Sequence, residues 1–169
     1  MTDSDFNTPP WLLGQIRKLD VTYGIGLDPC SNAHSMVQAR LAYSVEDDGL
    51  AQSWRGHGLV FMNPPHSTSP NNIEPWMMKA YNEFITSPPG RWDPRTDQFV
   101  GLVPAKTDTA WFHDWAAAFS VRCFLKGRPR FWHKGVETPG PGKFASMLLY
   151  QGPCSGRFMS IFQDYGWLA

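Results

Sequence analysis

The chain has 169 residues, 14% of them Phe, Trp or Tyr, which suffices for one domain with a large apolar core. Lys plus Arg and Asp plus Glu number 15 each, so the formal net charge is zero and a basic surface covering the whole molecule is excluded. Three cysteines without metal-ligand spacing, and no apolar run near the roughly 20 residues of a membrane span, predict a soluble protein of a reducing cytoplasm with no membrane partner and no metal site.

The first predicted helix covers residues 8–19, after a flexible N-terminus at residues 1–7. Thr8 is the predicted N-cap, and Pro9 and Pro10 fall in the first turn, where a missing N–H costs little. Apolar residues recur at helical spacing on one face: Leu12, Ile16 and Leu19.

A short apolar strand over residues 24–28 follows and ends in an acid. Pro29 stops ladder pairing directly after Asp28, so the carboxylate falls in a loop at the carboxyl end of the strand. Ligands of parallel α/β sheets bind at such ends. Residues 33–43 predict a short helix, and residues 46–50 predict an acidic turn.

The remaining pattern predicts a mixed α/β fold. Strands are predicted over residues 58–62, 99–104, 121–125, 130–132 and 146–150, helices over 73–85 and 110–119, an exposed connection over 86–97 and a loop over 138–142. Strand and helix alternate first, and strands then follow one another. This order predicts one domain, residues 1–169, with a mostly parallel sheet that ends in antiparallel C-terminal strands.

The tetrapeptide Asn63-Pro64-Pro65-His66 follows the apolar strand at residues 58–62. An amide held by a rigid Pro-Pro turn at a strand's carboxyl end is suited to an exocyclic amine of a nucleic-acid base. The Asn oxygen and a backbone carbonyl of the turn can accept both N–H groups of the amine, and one well-placed group of this kind contributes roughly 3 kcal/mol to transition-state stabilisation. An Asn-capped turn without catalytic function is the alternative.

Six blocks of the sequence extend this interpretation. They are Thr8-Pro9-Pro10, Leu27-Asp28-Pro29-Cys30, and residues 46–50, 60–65, 103–112 and 124–128. In this order they resemble the compact phage and prophage DNA N6-adenine methyltransferases, the Dam-like phage family, over about residues 8–150.

The resemblance implies a Rossmann-like methyltransferase fold, S-adenosylmethionine as methyl donor, and DNA with a flipped adenine as substrate. It also implies the cytoplasm of a bacterial host as location if a phage or prophage encodes the chain. Residues implied to bind the cofactor are Thr8, Pro9, Asp28, Pro29, Cys30, Asp48 and Asn63. Residues implied to be catalytic are Asn63, Pro64, Pro65 and His66, the last in place of the usual Tyr, Phe or Trp. Glu46 and Asp47 are the candidates for the ribose-binding acid.

Candidates for contacts with the DNA follow the strand ends. They are His66, Ser67, Lys106, Thr107, Asp108, Thr109, Arg128 and Arg130. His66 either stacks on the flipped base, has no role, or marks lost catalysis. Residues 106–109 either contact DNA or cap the following helix through Thr107 or Asp108. The basic stretch at residues 126–134 is either a phosphate-binding rim or a solvated hairpin.

Three functions therefore remain open from the sequence. The first is adenine N6 methylation of DNA. The second is a catalytically silent relative that binds DNA or protein. The third is methylation of another amine, such as cytosine N4 or an RNA base.

Overall fold

The computed structural model describes residues 6–65, 73–86 and 97–169. The strands are β1 (Phe6–Asn7), β2 (Ile25–Asp28), β3 (Leu41–Ala42), β4 (Leu59–Met62), β5 (Gln98–Pro104), β6 (Val121–Leu125), β7 (Trp132–His133), β8 (Val136–Glu137), β9 (Ser146–Gln151) and β10 (Gly166–Leu168). The helices are α1 (Pro10–Arg17), α2 (Glu74–Phe84), α3 (Ala110–Asp114) and α4 (Ser155–Phe162), with a 3₁₀ turn at Ala116–Ala118.

Seven strands form the main sheet in the order β10-β6-β9-β5-β4-β2-β3. Strands β3, β2, β4 and β5 are parallel, whereas β9 is antiparallel to both β5 and β6, and β10 is antiparallel to β6. The predicted mixed α/β sheet with antiparallel C-terminal strands is confirmed. Because β2, β4 and β5 run the same way, their carboxyl ends meet at one edge, where α/β proteins bind ligands.

Alternating side chains of the central strands bury two separate apolar layers. Along β4, Leu59 and Phe61 pack in the layer that contains residues of α1 and α4. Val60 and Met62 pack in the layer that contains residues of α2 and α3. The sheet is therefore covered by helices on both faces, which explains why its central strands read as continuous apolar runs.

The predicted helix at residues 33–43 is wrong. This segment has a turn at residues 33–34 and then irregular backbone that leads into the two-residue strand β3. Gln38 has a φ of 53°, which a helix cannot contain, and the carbonyls of Met36 and Val37 accept hydrogen bonds from Arg17. The Arg17 guanidinium thus uses the acceptors that a helix would need.

Several predicted boundaries also change. Helix α1 begins after Pro9, and Thr8 makes no cap bond. The predicted flexible N-terminus included Phe6 and Asn7, but these residues pair with β7. The predicted helix at 110–119 ends at Asp114. Helix α4 and strands β8 and β10 were not predicted. In the described ranges, no helix has the length and hydropathy needed to cross a bilayer.

Candidate functional site

A cleft of about 750 Å³ opens at the carboxyl ends of β2, β4 and β5. Its volume falls within the roughly 300–1,000 Å³ of small-molecule sites. The predicted site residues that line it are Thr8, Asp28, Pro29, Cys30, Asp48, Asn63, Pro64 and Pro65. The fold thus gathers side chains from four separate stretches of the sequence into one cavity.

Asn63 directly follows β4, and two prolines after it restrict its backbone and its neighbour's to extended conformations. Its side-chain Nδ2 donates a 3.1 Å hydrogen bond to Oγ1 of the buried Thr8. Its Oδ1 is buried and has no hydrogen-bond partner among the described residues. Since an unpaired buried acceptor costs about 1–3 kcal/mol, this oxygen is suited to a donor that the described residues do not supply.

Thr8 therefore holds the Asn63 side chain in place through this bond. We expect Thr8→Val to lower kcat about tenfold, because a buried Nδ2 left without an acceptor costs about 1–3 kcal/mol in the oriented state. Thr8→Ser keeps the hydroxyl and is the matched control. Steady-state methyl transfer would measure both variants, and equal kcat values for Val and Ser would refute the orienting role.

Asp28 is buried at the end of β2 and is 3% exposed. Its carboxylate accepts a hydrogen bond from the Cys30 backbone N–H at 3.2 Å and one from the Ser35 hydroxyl at 3.1 Å. Burial raises the pKa of the Asp28 carboxyl, and these hydrogen bonds offset only part of the rise. Ser35 lies in the segment wrongly predicted as a helix. The irregular backbone of this segment is what brings the Ser35 hydroxyl to Asp28.

The raised pKa makes stability depend on pH with a defined sign. The pKa of the Asp28 carboxyl is about 3.9 in the unfolded chain and higher in the folded protein. Its contribution to stability is thus complete below the unfolded pKa and is lost as the pH rises through the folded pKa. Asparagine does not titrate, so we expect the free energy of unfolding of Asp28→Asn, minus that of the wild type, to increase as the pH rises from the unfolded to the folded pKa. Urea denaturation at several pH values would measure this difference. A difference independent of pH would contradict the raised pKa.

The acidic turn packs directly against the loop that carries Asp28. A Cβ added to Gly49 would lie 1.8 Å from the Pro29 carbonyl oxygen, so only glycine permits this approach. The buried Trp54 indole donates a 2.7 Å hydrogen bond to the Gly49 carbonyl, and Asp48 adopts a φ of 50° beside it. Glycine and tryptophan together hold the Asp48 carboxylate at the cleft.

Hydrogen bonds with Ser44 lower the pKa of both other acids of the turn, Glu46 and Asp47, but the two differ in their position relative to the cleft. Glu46 lines the cleft. Asp47 instead accepts hydrogen bonds from the Ser44 backbone N–H and hydroxyl, both at 2.8 Å, which lower its pKa. Glu46 is therefore the better placed of the two for a ligand hydroxyl.

Cys30 lies against Asn63 but is not an activated thiol. Burial raises the pKa of Cys30 well above its ordinary value, and the Asp28 carboxylate raises it further. A contact with the Asn63 backbone lowers it only in part. Cys30 stays protonated near neutral pH and fills space between Asp28 and Asn63.

Other predicted site residues lie away from the cleft lining. Pro9 accepts hydrogen bonds from the N–H groups of Leu12 and Leu13, so it starts α1 and positions Thr8. Lys106, Thr107 and Asp108 are exposed after β5. The N-cap of α3 is Thr109, rather than Thr107 or Asp108, and the Thr109 hydroxyl bonds the Lys106 carbonyl without capping the helix.

Arg128 and Arg130 border a second, smaller cavity with Trp11 and Tyr165. His66 and Ser67 lie outside the described residues. The described residues bring together no group of three His, Cys, Asp or Glu side chains that could hold a metal.

The structure adds cleft residues that the sequence did not single out. They include Asn7, Asn32, Ser35, Trp76, Phe131, Lys143 and Phe144. Asn32 Nδ2 donates a 3.1 Å hydrogen bond to Asn7 Oδ1, which ties the loop after β2 to β1. The loop at residues 138–142 was predicted from the sequence. Its position in the lining of the cleft was not.

A helix-covered α/β sheet whose parallel strands end in a cleft with an Asn-Pro-Pro turn and buried acid is compatible with a methyltransferase fold. The family described as DNA N-6-adenine-methyltransferase (Dam) matches residues 2–163, and the chain belongs to this family. Membership confirms the resemblance and indicates methyltransferase activity with DNA as substrate. No curated protein and no solved structure matches the chain.

Proposed function

We propose that this protein transfers a methyl group from S-adenosylmethionine to the N6 amine of adenine in DNA, on a Rossmann-like methyltransferase fold. The observation that carries the proposal is the buried Oδ1 of Asn63, which has no hydrogen-bond partner in the described part of the chain, on a side chain that Thr8 holds in place. An acceptor without a partner at this position is suited to an incoming N–H donor. Adenine N6 provides such a donor.

The chemistry follows from the poor nucleophilicity of an aromatic amine, whose lone pair is delocalised into the ring. Asn63 Oδ1 accepts one N–H and the Pro64 carbonyl accepts the other, which favours a tetrahedral, more nucleophilic nitrogen. Pro64 and Pro65 carry no backbone N–H, so this turn presents carbonyl acceptors and no competing donors. Such preorganisation contributes roughly 3 kcal/mol per group, and positioning supplies much of the remainder.

The β2 side of the cleft, next to Asn63, is the proposed site of the methyl donor. S-adenosylmethionine supplies an activated methyl group on a sulfonium, so the protein needs no strong general base. Asp28, Glu46 and Asp48 line this side and suit a ligand with cationic and hydroxyl groups. Pro29 and Cys30 provide the apolar surface between Asp28 and Asn63, and Thr8 reaches the same space.

The substrate side of the proposal rests on the flipped base. Extruding an adenine from a duplex costs a few kcal/mol, which contacts with the protein must offset. His66 is the proposed stacking residue, with Ser67 beside it; Lys106, Thr107, Asp108, Thr109, Arg128 and Arg130 are proposed contacts. DNA as substrate and the free thiols of Cys30, Cys123 and Cys154 suit a cytoplasmic protein.

Incubation with tritiated S-adenosylmethionine and unmethylated DNA, followed by nucleoside analysis, tests the proposal. We expect label in N6-methyladenine. Label in N4-methylcytosine, or in RNA supplied in place of DNA, would assign another amine. Calorimetry separates a silent relative, because an absence of heat at millimolar cofactor would show that the cleft does not bind the donor.

A further inference from the structure

Two lysines and one aromatic ring form a cluster at the rim of the cleft. The Lys106 Nζ lies 4.4 Å from the centroid of the Phe144 ring, and the Lys143 Nζ lies 5.4 Å from it. Both distances fall within the roughly 6 Å range of cation–π attraction. The Phe144 ring thus attracts both ammonium groups.

The sheet brings these three residues together. Strands β5 and β9 pair up to Pro104 and Ser146, and the Ala105 N–H continues the pairing with a 2.8 Å bond to the Ala145 carbonyl. Lys106 and Phe144 therefore sit side by side just beyond the sheet.

The backbone of Lys143 has a support of its own, since its carbonyl accepts a 3.2 Å bond from Arg128. Lys143 and Phe144 both line the cleft that contains Asn63. The cluster is consequently attached to the paired ends of β5 and β9, and two of its three residues line the cavity.

The charges around the cleft are arranged by sign. Among the described lining residues, the acids Asp28, Glu46 and Asp48 follow β2 and β3, whereas the one cation, Lys143, precedes β9. Lys106 adds a second positive charge at the same rim. In a chain with no net charge, this local separation sends an anionic ligand to the β5–β9 side and a cationic one to the β2 side.

We propose that Lys106 and Lys143 bind the DNA backbone phosphates that flank the nucleotide entering the cleft, with Phe144 positioning both ammonium groups. The proposal rests on DNA being the substrate, as proposed above. It extends that function by assigning the phosphate contacts to residues at the ends of two paired strands.

The test is the salt dependence of binding to a fluorescein-labelled DNA duplex. Fluorescence anisotropy would measure the binding constant between about 50 and 200 mM KCl. Each phosphate contact contributes about 0.9 to the slope of log Kobs against log salt concentration. We expect Lys106→Ala and Lys143→Ala each to reduce the magnitude of the slope by about 1, and the double variant by about 2. Lys106→Arg and Lys143→Arg should keep the wild-type slope, because the charge remains.

Lys18→Ala is the matched control, since Lys18 is exposed on the far end of α1 and bonds Gln15. An unchanged slope in either Lys106→Ala or Lys143→Ala would overturn the proposal, as would a wild-type protein that does not bind DNA. Failure of the proposed function gives a different result. The wild-type protein would then bind DNA with the expected slope changes and leave adenine unlabelled.

Discussion

Asn63→Ala is expected to lower methyl transfer to DNA by about 10²–10³-fold, the usual cost of removing one preorganised hydrogen-bonding group at a reacting centre. The variant loses the Oδ1 that would accept an amine N–H. The methyl group of alanine cannot accept a hydrogen bond in its place. The fold should remain intact. Alanine removes an unpaired buried acceptor, which offsets the loss of the 3.1 Å bond to Thr8.

Two variants make this result specific. Asn63→Asp keeps an oxygen acceptor, which the Thr8 hydroxyl can orient by donating to the carboxylate, and should retain more activity than Asn63→Ala. Asn82→Ala removes an exposed amide from α2 and should leave kcat unchanged. Steady-state kinetics and thermal unfolding would measure all three, and Asn63→Ala retaining more than about a tenth of wild-type kcat would contradict the assigned role.

Gly49→Ala is expected to produce the second large effect, on cofactor binding. The added Cβ would lie 1.8 Å from the Pro29 carbonyl oxygen, so the acidic turn must move away from the loop that carries Asp28. Overpacking of this kind costs typically about 1–3 kcal/mol, and a tenfold or greater loss of affinity for S-adenosylmethionine corresponds to about 1.4 kcal/mol. Calorimetry would measure the affinity.

Gly14→Ala is the matched control for Gly49→Ala. No atom lies within 4 Å of a Cβ built at Gly14, which sits in the interior of α1. Alanine is favoured over glycine in a helix by about 1 kcal/mol, so this variant should be more stable and should bind the cofactor normally. Equal cofactor affinities for the two variants would show that close approach at Gly49 does not shape the cleft.

The main sheet was predictable because its central strands carry an unambiguous signal. Residues 59–62 and 99–103 are buried throughout, and apart from Gly101 their side chains are all apolar. Residues 33–43 carry a helical spacing of apolar side chains, but Arg17 competes for their carbonyls from nineteen and twenty residues away. Periodicity contains no information about such a competitor.

The candidate site divides in the same way. Asn63 and Asp28 follow strands, and their position at the sheet edge can be inferred from chain order. The bond between Thr8 and Asn63 joins residues 55 positions apart, and it gives Thr8 a different hydrogen bond from the predicted helix cap. Phe144 and Lys106 meet only because β9 inserts beside β5, a pairing that the order of elements along the chain does not fix.

The three-stranded sheet β1-β7-β8 has a consequence for how the cleft opens. Along the described chain, β1 pairs only with β7, through Phe6 and Asn7, and both residues line the cleft. Such a short ladder can separate at a free energy far below that of global unfolding, so amide hydrogens there should exchange with solvent much faster than those of β5. Thr8 follows β1 directly. Separation of β1 from β7 would therefore release the Asn63 amide from Thr8 while the main sheet stays folded.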